Sequence, residues 1–238
     1  MTGWAKKRFW KEATICDQEG GFGVQLDGRL VKTPAKRTLL APTEACAVAI
    51  AQEWQDQPEE IDPSLMPLTR AVNAAIDKVA TQFDEVADLT AAYGETDLLC
   101  YRATSPSELV ARQAEGWDPV LDWAATQFGA RLKPTAGIMH IAQDAAALDA
   151  LRGEVLAKSH YELTALHEMV ALTGSLILGL AAFHDFAPVT TIWDLSRIDE
   201  TWQEEQWGPD EEAQKITQRK LADFIQAKSF QNLIQRTG

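Results

Sequence analysis

Hydrophobic and polar positions alternate with a period of two early in the chain. Phe22, Val24 and Leu26 are interleaved with Gly23 and Gln25, the spacing of a half-buried strand. Asp27-Gly28 then falls between two apolar runs. Both residues tolerate the positive φ of a tight turn, so the pattern predicts a hairpin there. RFWKEATIC reads as an earlier strand joined through DQEGG, and RTLLA, bracketed by Pro34 and Pro42, as a short later one. From Thr43 the period becomes helical. Thr43 is a good N-cap with Glu44 in the first turn, and Ala45, Val48, Ala49 and Trp54 fall near one face. QPEEIDPSLMP is a proline-punctuated connector that places a domain boundary between residues 64 and 65. Pro67 is suited to open the next helix, PLTRAVNAAIDKVATQF.

Farther along, SPSEL reads as a capping box, with Ser105 accepting from the Glu108 amide and Pro106 at the first helical position. The helix that follows carries Leu109, Val110, Trp117, Val120, Leu121 and Ala124. Pro119 predicts a kink or a restart that Asp118 would cap. KPTAGIMHIAQ is extended or loop-like. Helices are predicted over 144–159, 161–183 and 210–231, with a shorter one over 189–205. The pattern thus predicts an α+β fold: a small β-rich N-terminal domain, residues 1–64, with hairpins and one helix, then a larger all-helical C-terminal domain, residues 65–238.

The longest apolar segment, MVALTGSLILGLAAF (Met169–Phe183), is too short to span a bilayer and is interrupted by Thr173, Gly174 and Ser175. It reads as a buried core helix, with the Ser175 hydroxyl bonding back to a carbonyl one turn earlier. MTGWAKKRFW has lysines but no apolar run behind them, so no secretory signal is expected. The formal charge is −13 over 238 residues. The first 41 residues carry eight Lys/Arg against four acids, and the remainder 14 against 31. So acidic a body is repelled by phosphate backbones, which argues against nucleic acid as a partner. Three dispersed cysteines, Cys16, Cys46 and Cys100, form no metal-binding spacing and suit structural thiols in a reducing compartment.

Candidate chemistry is sparse. HEMVA begins like a zinc-protease helix, but position 171 is Ala where a second His is needed, so no metal is expected there. No GxGxxG, P-loop or GxSxG string occurs, so neither a nucleotide cradle nor a nucleophile elbow is supported. In TDLLCYR, Asp97 and Arg102 flank an apolar centre. They either pair with each other or Arg102 meets another acid such as Asp118. An enzyme site around Asp97, Arg102 and His167 requires the three to converge in a concave pocket.

DETWQEEQWGPDEE (Asp199–Glu212) stands apart: seven of its fourteen residues are acidic, none is basic, and it holds two tryptophans. Trp202 and Trp207 are five apart and do not share a helix face, so at most one indole is expected to pack inward. The other would sit at the rim among carboxylates. Such a surface suits contact with a basic, partly apolar protein, the indole supplying area and the acids selecting the partner. A general acidic adaptor with another client fits the same residues.

Several strings, in order across nearly the whole chain, resemble the ATP synthase assembly chaperone family that acts on the α subunit of the soluble catalytic head, the F-one sector. They are KRFW (7–10), GGFGVQLDGRLVKTPAK (20–36), EWQDQPEEIDPSLMPLTRAVNAAID (53–77), TDLLCYRA (96–103), RQAEGWDPVLDW (112–123), LTALHEMVALTGSLILGLA (163–181) and DETWQEEQWGPDEEA (199–213). The resemblance implies the same two-domain α+β architecture, no catalysis, no cofactor and no nucleotide. It implies a protein that holds the unassembled α subunit against aggregation and yields it to the β subunit. The acidic segment resembles the family's functionally sensitive C-terminal region. Glu200, Trp202, Glu204, Trp207, Asp210 and Glu212 are therefore the expected partner contacts, with Arg102 and Asp118 as structural support. Mitochondrial members carry a transit segment that this N-terminus lacks, so a bacterial cytoplasmic, monomeric member without membrane insertion is expected.

Overall fold

The structure, a computed structural model, describes residues 7–235. The reading of the N-terminus as free of a secretory signal rests partly on residues 1–6, outside the described residues. The chain forms two compact units. One takes the chain up to Phe83 with Ser159–Ala165 and the residues from Ser229, and the other takes Asp84–Lys158 and Leu166–Lys228.

In the first unit, β1 (Ala13–Gln18) and β2 (Gly21–Leu26) pair antiparallel, with Ile15 opposite Val24. β3 (Arg29–Leu30) follows through the predicted turn, where Asp27 and Gly28 take φ of 47° and 78°. β4 (Leu40–Ala41) also pairs with β2. The Asp27 carboxylate accepts from the Lys11 and Glu12 amides, tying the turn to the start of β1. α1 (Glu44–Gln55) is capped by the Thr43 hydroxyl, which accepts from Cys46 N. Its buried face is Cys46, Ala47, Ile50 and Ala51, and Val48 is exposed. The expected face was offset because the apolar run around it is nearly continuous, leaving the sheet to select which stripe is covered.

The Glu53 carboxylate accepts from Leu68 N, Thr69 N and the Thr69 hydroxyl, and so caps α2 (Pro67–Asp77) from another helix. The predicted continuation to Phe83 does not occur. The Thr81 hydroxyl bonds the Asp77 and Lys78 carbonyls, and a short 3-10 turn over Val79–Thr81 intervenes.

The second unit is helical. α3 (Phe83–Ala91) opens the run of helices, and β5 (Tyr101–Arg102) pairs in parallel with β6 (Thr135–Ala136) inside the segment read as extended or loop-like. α4 (Ser107–Phe128) continues through Pro119 without a restart. Asp118 therefore caps nothing, and its carboxylate meets Arg102. The capping box is not formed either. Pro106 is the extended N-cap, and its carbonyl accepts from Leu109 N and Val110 N, which moves the helix start past Ser105.

α5 (Ala145–Leu156) is capped by Asp144. The predicted single helix over 161–183 is two, α6 (His160–Thr173) and α7 (Leu176–Phe183). Thr173 makes the back-bond to the Met169 carbonyl, whereas Ser175 is extended and N-caps α7 by accepting from Leu178 N. Every residue of α7 is buried. The predicted short helix over 189–205 also divides, into α8 (Val189–Ser196) and α9 (Ile198–Trp207), before α10 (Glu211–Ile234). Cys46 and Cys100 are free, and burial pushes both thiols up to about 12, as inert structural thiols require.

Candidate functional site

The acidic segment forms an elbow: α9, a turn at Gly208 with φ of 88°, and the first turns of α10. Ile198 is the only residue of α9 that is buried. A helix with so little burial needs other anchors, and α4 supplies them. The Arg112 guanidinium makes a two-pronged contact with the Glu205 carboxylate, 2.9 Å on each side, and lies 5.0 Å from the centre of the Trp202 ring. That pairing holds the Glu205 carboxyl below its ordinary range. At the next residue, Gln113 Nε2 donates to Asp199 at 2.6 Å, and its Oε1 accepts from Ala103 N at 2.8 Å. Trp117 Nε1 donates to the Leu195 carbonyl at 2.8 Å. Gly116 completes the seat. A Cβ there would stand 2.8 Å from Ile198 Cδ1 and 2.9 Å from Leu195 Cδ2, so only Gly leaves room for those side chains as they lie.

The expected contact residues therefore divide. Trp202 is half-buried under Arg112, while Trp207 is 80% exposed. Glu200 is exposed and pairs with Arg197 at 2.9 Å. Glu204 is half-buried. Asp210 caps α10, accepting from Glu212 N at 2.9 Å and Ala213 N at 3.3 Å. The side chains of Glu211 and Glu212 are exposed. Trp207 thus stands in water in an acidic setting. Covering on the order of 150 Å² of that indole would contribute about 3–4 kcal/mol to an encounter.

Arg102 and Asp118 lie off the elbow. They pair at 2.7 Å, Arg102 Nε donates to the Leu99 carbonyl, and the guanidinium sits 5.1 Å from the centre of the Trp117 ring. Sequence reasoning gave Arg112, Gln113 and Gly116 no part in this site. Their adjacent polar pair one turn before Gly-Trp was a signal of a seat, but its occupant lies far away in sequence.

Asp97, Arg102 and His167 share no hydrogen bond or ion pair with one another. Asp97 is fully buried and accepts from Leu99 N, the Ser175 hydroxyl and Ile177 N. Burial pushes its carboxyl up to about 6, partly offset by those donors. His167 Nδ1 is engaged with the Thr90 hydroxyl at 2.9 Å. Asp97 and Arg102 both bond Leu99, one through its N–H and the other through its carbonyl, while His167 bonds Thr90, and the buried Asp97 faces no solvent. Among the described residues no group of three or more His, Cys, Asp or Glu is placed to hold a metal ion. No described helix is long and apolar enough to cross a membrane.

The elbow's polar pairs fix its position and leave the Trp207 indole uncovered. Comparison with known proteins gives the chain a family. The chain is 50% identical to Atp12 of Paracoccus denitrificans, whose crystal structure superposes with a TM-score of 0.95 over 98% of this chain and 100% of that one. The crystal structure of the Atu1473 protein of Agrobacterium tumefaciens is 42% identical, with a TM-score of 0.92 over 96% and 86% of the two chains. The mitochondrial protein atp12 of Schizosaccharomyces pombe is 26% identical over 236 residues, 94% of this chain and 81% of the relative. The profile described as ATP12 chaperone protein matches residues 7–125. The chain belongs to the ATP12 family, the ATP synthase assembly chaperones that its sequence resembles.

Proposed function

We propose that the protein binds the unassembled α subunit of the ATP synthase catalytic head, protects it from aggregation, and releases it when the β subunit claims the same surface. It acts as a monomer in the bacterial cytoplasm, catalyses no reaction and needs no cofactor or nucleotide. Release follows from competition, since a better-matched neighbour displaces a weaker one without any bond being broken. The observation that carries this reading is Trp207, 80% exposed at an acidic elbow seated on α4, in a chain that belongs to a family of assembly chaperones. Glu200, Trp202, Glu204, Trp207, Asp210 and Glu212 form the contact region in this reading, with Arg102 and Asp118 as its support.

The test mixes the purified protein with isolated α and β subunits in turn. Selective retention of α, lost on addition of β, is the expected result. Equal retention of both subunits, or of neither, defeats it. Glu212→Lys is expected to weaken retention of α with the melting temperature unchanged. Wild-type retention in that variant removes Glu212 from the contact.

A further inference from the structure

A second exposed apolar feature lies in the same unit. Residues 133–143 form a loop closed on itself: Lys133 N donates to Gln143 Oε1 at 2.7 Å, and Gln143 Nε2 donates to the Lys133 carbonyl at 3.1 Å. Inside it β6 pairs with β5, and Gly137 N donates to the Arg102 carbonyl at 2.8 Å. His140 closes the other side, 3.2 Å from the Tyr101 hydroxyl through Nδ1 and 3.2 Å from the Glu95 carboxylate through Nε2. A loop fastened at so many points holds its tip where it is. Yet that tip presents Ile138 at 93% exposure and Met139 at 75%, beside Ile141 at 37%. Consecutive large apolar side chains on a fixed support are a binding feature more than a stray surface residue.

We propose that this tip is a second docking point for the same client as the elbow, inserting Ile138 and Met139 into an apolar recess of the unassembled subunit. The inference rests on the assembly-chaperone reading above. Continuity selects the occupant. Gly137 is bonded to Arg102, the next residue Ala103 is bonded to Gln113, and Gln113 is bonded to Asp199 in the first turn of α9. One buried amide therefore ties the root of the loop to the root of the elbow, so both are carried by α4. Chemistry agrees. Met adapts its shape to irregular apolar surface, which an unassembled subunit displays. Charge disfavours the other occupants, since a net −13 repels both an anionic bilayer and a second copy of the chain.

The experiment uses the full chain carrying Ile138→Ser and Met139→Ser together, and separately a photo-cross-linking residue at position 139. The double variant is expected to melt like wild type and to retain isolated α about tenfold less well, and the cross-linker to form an adduct with α. Wild-type retention with no adduct overturns the proposal while leaving the elbow intact. Should wild type itself fail to retain α, the client reading falls and this inference with it. A wild-type dimer that the double variant dissolves, seen by sedimentation, overturns it in favour of self-docking. Flotation with phosphatidylglycerol vesicles that the variant loses overturns it in favour of a lipid surface.

Discussion

α7 and α9 are short helices of one unit, eight and ten residues long, and they are held by opposite means. All of α7 is buried, whereas α9 buries Ile198 alone. Burial fixes α7, and the unpaired backbone groups at its end become the liability, because an unpaired N–H out of water is costly. Asp97 and Ser175 remove it by taking up the donors at the N-terminus of α7. In α9 the solvent satisfies most polar groups, and position becomes the liability. Arg112 and Gln113 fix position through directed bonds and leave the outer face uncovered. A carboxylate next to α7 completes a core, while Asp199, Glu200 and Glu205 of α9 meet Gln113, Arg197 and Arg112 and leave the Trp207 indole exposed.

The comparison breaks most severely at Asp97. Asp97→Ala leaves Leu99 N, Ile177 N and the Ser175 hydroxyl without their acceptor in a dry site, which costs about 3 kcal/mol or more. Equilibrium unfolding in urea measures the loss. The same carboxyl gives a pH signature. Its pKa is about 6 in the folded chain against 3.8 for the ordinary group, so between those values the folded state binds the proton more readily. This group's contribution therefore favours folding at pH 4 and is lost as pH rises through 6, a swing of about 3 kcal/mol at most. Asp97→Asn is expected to flatten that part of the stability profile. Its amide also faces Ile177 N with a second donor, so the variant stays below wild type at neutral pH.

Those two regions also mark what a sequence discloses. The Asp27-Gly28 hairpin, the Thr43 cap, the Pro67 helix start and the α+β order were legible because each is encoded within a few residues. The break before α7 was not, since Ser175 takes its role from Asp97, 78 residues away. The absence of a restart at Pro119 has the same origin, with Asp118 engaged by Arg102. At the elbow, the five-residue spacing of the tryptophans implied that at most one would pack inward; Trp202 is half-buried and Trp207 exposed. The seat beneath them was hidden, because Gln113 and Arg112 find their partners 86 and 93 residues on. Polar residues on a helix read as solvated until the fold supplies an opposite number.

Gln113 sharpens the comparison at a middle level. It is 1% exposed and bonds Ala103 and Asp199 at once. Gln113→Leu keeps much of its volume but strands the Ala103 amide, for an expected loss of about 1–3 kcal/mol. α9 should loosen with it. Acrylamide quenching of Trp202 is then expected to rise, read as the difference between the chain with Trp202 and the same chain carrying Trp202→Phe, because the chain holds eight tryptophans. Unchanged quenching would mean that Arg112 and Gly116 seat α9 by themselves.

Trp207 gives the smallest effect on folding and separates the two helices most cleanly. At 80% exposure its indole has little burial to lose, so Trp207→Ala is expected to leave stability within about 0.5 kcal/mol of wild type. A core residue of α7 has no such freedom. Leu178→Ala removes a fully buried side chain and is expected to cost about 2–5 kcal/mol. If the elbow serves a client, the order reverses in a retention assay: Trp207→Ala weakens capture of the α subunit, and Leu178→Ala spares it wherever the chain remains folded. A Trp207→Ala variant that unfolds early would place the indole among the supports of the fold, and the division between a helix held by burial and one held for contact would no longer stand.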